Sequence, residues 1–250
     1  MKTIFLTSNT KHYHKINNKK VANEIDNING IVEQIINLLE KQGTILYIAA
    51  SPDDFKKNEE YSNLIFEGFN LSGVKFANNL VLDSRTIEQA REDISKADLI
   101  FLSGGDTYIE NEFFKKIRLK ELLSCYNGII VGQSAGAINL AEHVYNSPEE
   151  GIDSEPIYFE GLGLSQINVE PHFELNSSNF DDYEVYQRNH LLNESKKRKI
   201  YALCDGSHIL ETDEQIIVYG ESYLISDGAI TKLCSNKEYK NITPTQTLKL

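Results

Sequence analysis

Cysteine, positive charge and long apolar runs are all scarce in this chain of 250 residues. Its three cysteines, Cys125, Cys204 and Cys234, are odd in number and widely spaced, with no C-x-x-C pair. Neither a disulfide framework nor a zinc knuckle is therefore expected. Cys125 and Cys204 stand in apolar stretches and read as reduced core thiols. Lys and Arg number 25 against 37 Asp and Glu, for a formal net charge of −12. Nucleic acid and anionic membranes are bound through clustered cations, so the balance argues against either partner. The one basic cluster, Lys196-Lys197-Arg198-Lys199, reads as a solvated helix end, where cations suit the helix dipole. No apolar run approaches the length of a membrane span. Residues Met1 to Thr7 are too short an apolar stretch for a signal peptide and lack a small-residue cleavage site. A cytoplasmic protein is the expectation.

What the chain does have is the make-up of a soluble globular protein, with 40% hydrophobic and 25% charged residues. Its length suits one sizeable α/β domain, and without an internal repeat or long linker residues 1–250 read as a single unit. Strands are expected at 3–7, 44–50, 76–82, 97–103 and 128–133. Helices are expected between them: one through Ile31, Ile35, Leu38 and Leu39, stopped by Gly43; one starting at Ser51-Pro52-Asp53-Asp54; one over 87–95; and one from Tyr108. This alternation over residues 1–142 predicts an α/β fold with a parallel sheet covered on both faces. Residues 10–28 read as a polar loop, and 144–160 as an acidic irregular segment that would line a narrow pocket. Beyond it come a short strand at 166–169, a helix over 180–194 and short strands at 199–204, 208–211, 215–219 and 222–225. Asp227-Gly228 is a hairpin-turn signal.

The active sites of parallel sheets lie at the carboxyl ends of strands. The most informative stretch falls there: Gly132-Gln133-Ser134-Ala135-Gly136 is the G-x-S-x-G pattern of a nucleophile elbow, between a predicted strand and a predicted helix. A serine on so sharp a turn needs neighbours with little or no side chain. The turn lifts the hydroxyl into the open and aims helix N–H groups at a developing oxyanion. An ordinary strand-to-helix turn has the same pattern. A second loop, Ser103-Gly104-Gly105-Asp106-Thr107, ends the preceding strand. Its glycines let backbone N–H groups approach a substrate, or simply make a tight turn; it lacks the Lys-Ser/Thr of a phosphate-binding loop.

A serine needs a base. Of the six histidines, His12 and His14 fall in the polar loop and are expected in solvent, His143 follows the elbow helix, His190 sits on a helix, and His208 lies in a strand near Asp205. His172 stands at a strand end behind Pro171. The carboxylate that orients the base could be Asp205, itself at a strand end, or Glu149, Glu150, Asp153 or Glu155.

Four stretches in one order, Ser103–Thr107, Gly132–Ala137, Gln166–Phe173 and Ala202–Ser207, resemble the S51 serine peptidases, the family of the aspartyl dipeptidases (peptidase E) and the cyanophycinases. The resemblance covers most of residues 1–226; the tail from about residue 237 has no counterpart. It implies a three-layer α/β sandwich like the flavodoxin-like fold of class I glutamine amidotransferases, with serine in place of their cysteine. It also implies a serine-type hydrolase of short peptides that works through an acyl-enzyme and calls for no metal or organic cofactor. Ser134 matches the nucleophile, His172 the base and Asp205 the acid, which is Glu in the aspartyl dipeptidases. Gly105 and Ala135 match the oxyanion donors. Gly104, Asp106 and Arg188 fall where substrate is bound. Asp106 replaces the Asn of Gly-Gly-Asn-Thr, and its carboxylate disfavours an acidic substrate. A small peptide is the expected partner and a monomer or homodimer the expected state. An esterase, or a non-catalytic ligand-binding relative, would share these features.

Overall fold

Two sheets of different character divide the work of building the site. The computed structural model describes residues 2–39, 43–148, 155–175 and 182–244. In chain order the elements are β1 (Thr3–Thr7), β2 (Tyr13–Ile16), β3 (Lys19–Ala22), α1 (Ile31–Leu38), β4 (Thr44–Ile48), α2 (Phe55–Leu71), β5 (Asn78–Leu82), α3 (Ala90–Lys96), β6 (Leu99–Leu102), α4 (Thr107–Lys116), α5 (Leu119–Ser124), β7 (Ile129–Gln133) and α6 (Ala135–Ile138). Then follow β8 (His143–Asn146), β9 (Ile157–Glu160), β10 (Asn168–Glu170), α7 (Asp182–Glu194), β11 (Ile200–Leu203), β12 (His208–Glu211), β13 (Ile216–Tyr219), β14 (Ser222–Ser226), β15 (Ala229–Cys234) and β16 (Tyr239–Asn241).

The large sheet has the order β16-β13-β12-β1-β7-β6-β4-β5. From β1 to β5 it is parallel, in the order that βαβ crossovers produce; β12, β13 and β16 extend it antiparallel past β1. Side chains alternate across each strand, so Phe5, Ile45, Tyr47, Phe101 and Val131 face α1 and α2, while Leu6, Leu46, Leu102 and Ile130 face α3, α4 and α5. Burial on both faces explains why these strands are continuous apolar runs. The smaller sheet, β10-β11-β14-β15, begins with a parallel pair, β10 and β11.

Several expectations need correction. Residues 10–28 are not featureless: β2 and β3 form a hairpin across Asn17-Asn18, both at positive φ (49° and 61°), the geometry of a two-residue primed turn. Its polar composition hid it, because it rests on α2 through a Tyr13–Tyr61 ring contact and a Lys20–Glu60 ion pair instead of entering the core. Residues 144–160 contain the pair β8–β9, with Tyr145 opposite Tyr158. Gly43 does not end α1, which stops at Leu38; a Cβ at Gly43 would stand on the Asp98 carboxylate that accepts the Thr44 N–H. Pro52 precedes α2, whose cap is the Asp54 side chain accepting from the Lys57 N–H. Cys125 is exposed and Cys204 only half-buried; Cys234 is the buried one. The basic cluster is more than a solvated end, since Lys197 and Arg198 pair with the buried Glu194. Residues 239–241 of the tail add strand β16.

His12 is buried, not solvated, and so is His208. Burial lowers the imidazole pKa to about 4 for His12 and about 3 for His208. Both are therefore neutral in the folded chain at pH values where an unfolded chain, near 6.5, protonates them. The unfolded state then binds more protons, and stability present above pH 6.5 is lost as pH falls toward 4, by about 1.4 kcal/mol per pH unit for each imidazole. Urea unfolding at pH 7 and pH 5 should show this loss, and His208→Asn should make the slope shallower.

Candidate active site

β7 runs into Ser134, which leaves the strand with φ 53° and ψ −114°, a conformation costly for any residue with a side chain. The geometry around it over-determines that strain. The Ser134 N–H donates to the Thr7 carbonyl at 3.0 Å, and the Gly136 N–H to the Ser103 carbonyl at 3.1 Å. A Cβ at Gly132 would lie 2.7 Å from the Gly136 carbonyl oxygen, and one at Gly136 would lie 2.5 Å from that of Leu102. Both glycines of the pattern are thus demanded by backbone-to-backbone approach.

The short elbow helix α6 is held from below. Asn139, fully buried, donates to the Thr107 carbonyl and to Glu110 Oε2, each at 2.9 Å, and accepts from Asn111 at 3.0 Å. Burial pushes the Glu110 carboxyl well above the usual range, and Asp106 adds to that effect against the Asn139 hydrogen bond.

His172 and Asp205 come from the smaller sheet, not the one that carries Ser134. Each follows the carboxyl end of one of the two parallel neighbours β10 and β11, so strand pairing alone sets them side by side. The Phe173 N–H donates to the Leu203 carbonyl at 3.1 Å and fixes the register. His172, at φ 57°, turns its ring toward the elbow. Its Nε2 lies 3.0 Å from Ser134 Oγ and its Nδ1 2.8 Å from Asp205 Oδ1.

Ser8 and Asn9, just past β1, complete this chain of contacts; neither was singled out from the sequence. Ser8 Oγ donates to Asp205 Oδ1 at 2.8 Å and accepts the His172 N–H at 2.7 Å. Asn9 donates to Asp205 Oδ2 at 3.1 Å. Partial burial raises the Asp205 pKa, but the His172 hydrogen bond and charge, with Ser8 and Asn9, outweigh it and hold the carboxyl below its ordinary value. No periodicity or motif marks Ser8; its position at the end of a central strand was the only available signal.

Ser134 lies where two cavities meet. One is an open cleft of about 880 Å³ that reaches Asp106, Asn146, Ser147, Glu170 and Arg188. The other is a recess of about 250 Å³ behind Gly104 and Gly105. Among the described residues neither the Gly105 nor the Ala135 N–H has a hydrogen-bond acceptor. A Cβ on Gly104 would stand 3.2 Å from that of Ser134, so the loop presses on the serine. Asp106 caps α4, accepting the Ile109 N–H at 2.8 Å. The Arg188 guanidinium donates to the Glu174 and Leu175 carbonyls. Among the described residues, Asn146 and Ser147 are what the 144–160 segment contributes to the cleft.

The remaining candidates lie elsewhere. His143 contacts Glu160, His190 meets the Tyr186 ring at a tilt, His14 is exposed, and His208 contacts Gln34. Of the rival acids Glu155 is exposed, while Glu149, Glu150 and Asp153 lie outside the described residues. Among the described residues no cluster of His, Cys, Asp and Glu is arranged to hold a metal ion, and no helix is long and apolar enough to cross a membrane.

Comparison with known proteins gives a consistent picture. The 1.5 Å crystal structure of a protein from Listeria monocytogenes EGD-e, provisionally called a peptidase E, matches with a TM-score of 0.55 and 17% identity over 94% of this chain and 100% of that one. At that identity the likeness speaks for the fold, an α/β architecture around a large, mostly parallel sheet. No curated protein matches the chain. The model of peptidase family S51 matches residues 6–219, which takes in both loops, the elbow, His172 and Asp205. The chain belongs to peptidase family S51.

Proposed function

We propose that this protein is a serine-type peptidase that hydrolyses short peptides, with Ser134 as nucleophile, His172 as general base and acid, and Asp205 as the orienting carboxylate. One observation carries the reading: the unbroken line from Ser134 Oγ through the His172 ring to Asp205, with contacts of 3.0 and 2.8 Å.

The protonation pattern follows from the acid. An ionised carboxylate only accepts hydrogen bonds, so Nδ1 of His172 carries the proton it shares with Asp205. Nε2 is left with its lone pair facing Ser134, the tautomer that a base needs. Ser134 Oγ attacks the scissile carbonyl as its proton passes to Nε2. The oxyanion meets the N–H groups of Gly105 and Ala135, whose lack of an acceptor among the described residues supports that role. The imidazolium, steadied by Asp205, then protonates the leaving amine. A water activated by the same imidazole attacks the acyl-enzyme and frees the serine. Both Ser134 and His172 sit at positive φ, so the site is set before substrate arrives.

Ser134→Ala should abolish hydrolysis of a dipeptide library and labelling by a fluorophosphonate; turnover that persists in this variant would rule the mechanism out. Ser8→Ala removes one charge-assisted hydrogen bond to Asp205 and the acceptor of the His172 N–H. A loss of about 1.5–3 kcal/mol in such a bond lowers kcat roughly ten- to a hundredfold. Steady-state kinetics beside a thermal melt separates this from unfolding.

A further inference from the structure

The recess behind Gly104 and Gly105 differs chemically from the main cleft. Among the described residues no carboxylate lines it. Its lining joins the rings of Tyr13, Tyr61 and Phe101, with Tyr47 stacked on Phe101 at 6.2 Å, to the uncharged polar side chains of Asn9, Ser103 and Gln133. Tyr13 meets Tyr61 edge-on at 5.8 Å, and the β2–β3 hairpin holds it there. His12 packs against Tyr13 and Phe101 and is kept neutral by burial. Rings beside uncharged polar groups suit an aromatic or branched side chain and leave a carboxylate side chain without a partner inside the recess.

One cation stands at its mouth. Lys57, on the first turn of α2, lines both the recess and the main cleft. It is half-buried, and among the described residues no carboxylate lies within ion-pair distance of it. Among the described residues its ammonium donates to Ser51 Oγ alone, at 3.3 Å. That same oxygen would be 3.9 Å from a Cβ at Gly105. Lys57 is therefore beside the loop assigned to the oxyanion, at the junction of the cavities. A carboxyl carbon lies about 3.5 Å, one residue repeat, beyond the preceding carbonyl carbon in an extended chain. A substrate carbonyl at Gly105 would thus bring the carboxylate of the next residue to Lys57 if that residue ended the peptide.

We propose that Lys57 and the recess together hold the C-terminal residue of the substrate, its carboxylate on the ammonium and its apolar side chain among Tyr13, Tyr61 and Phe101. The substrate class is a short peptide with a free C-terminus and an uncharged, aromatic or branched last residue, which becomes the leaving group. This rests on Ser134 as nucleophile, but the binding it describes is measurable without turnover.

The test uses the full chain carrying Ser134→Ala, so that ligands stay intact, and isothermal titration with Ala-Phe, Ala-Phe amide and Ala-Asp. Ala-Phe should bind at least tenfold more tightly than the other two. Adding Lys57→Gln should bring acid and amide to within about twofold of each other, while Tyr61→Ala should weaken both without closing the gap between them. Equal binding of acid and amide before Lys57 is changed overturns the proposal. So does discrimination that survives Lys57→Gln, Ala-Asp binding as well as Ala-Phe, or no binding by any of the three. Wild-type turnover of the same peptides is scored separately: binding as described without Ser134-dependent cleavage would sink the peptidase reading and leave the binding site standing.

Discussion

Everything in the site hangs on the carboxyl end of β1. That strand is the seam of the large sheet, parallel to β7 on one side and antiparallel to β12 on the other. Its last residues reach both ways. Thr7 accepts the Ser134 N–H through its carbonyl and donates through its hydroxyl to the Gly132 carbonyl at 3.0 Å. Ser8 donates its N–H to the Ser207 carbonyl, and Asn9 accepts the Gly206 N–H. The serine of one sheet and the histidine and aspartate of the other are thus referred to a common buried strand. Fixing two sheets to one line of backbone is how a 3.0 Å contact between their side chains is kept without a covalent link.

The parallel half of the fold was legible because its strands are buried on both faces, and a continuous apolar run bounded by turn residues has few other readings. The elbow was legible for a related reason: Gly132 and Gly136 are required by backbone contact, so sterics write the pattern into the chain. Where the structure departs from the sequence reading, the stabilising contacts are made at a distance. The Asn17-Asn18 hairpin owes its place to α2, forty residues onward, and carries no alternating apolar face of its own. His12 reads as polar because its neighbours are, yet its ring is enclosed by Tyr13 and Phe101. Ser8 could not be found from any local pattern, since its partners lie 164 and 197 residues away.

The site also separates charge by location. Asp205 is held ionised by three donors, whereas Glu110, a short way beneath the elbow helix, is driven toward its neutral form by complete burial. An ionised group under α6 would oppose the negative charge that the proposed mechanism develops at Ser134. A neutral one braces Asn139 without that penalty. Two carboxyl groups of near-equal intrinsic strength are thereby pushed in opposite directions by their surroundings, through desolvation and hydrogen bonding.

The hairpin over 13–22 has an implication for how this scaffold changes over time. It is a surface addition tied to α2 by a ring contact and an ion pair, and none of its residues belongs to the strands that hold Ser134, His172 or Asp205. Insertions or exchanges within it reshape one wall of the recess while the reacting atoms keep their spacing. Under the proposed role of the recess, selection can redraw which molecules are admitted on a part of the chain that carries none of the three residues in the Ser134–His172–Asp205 line.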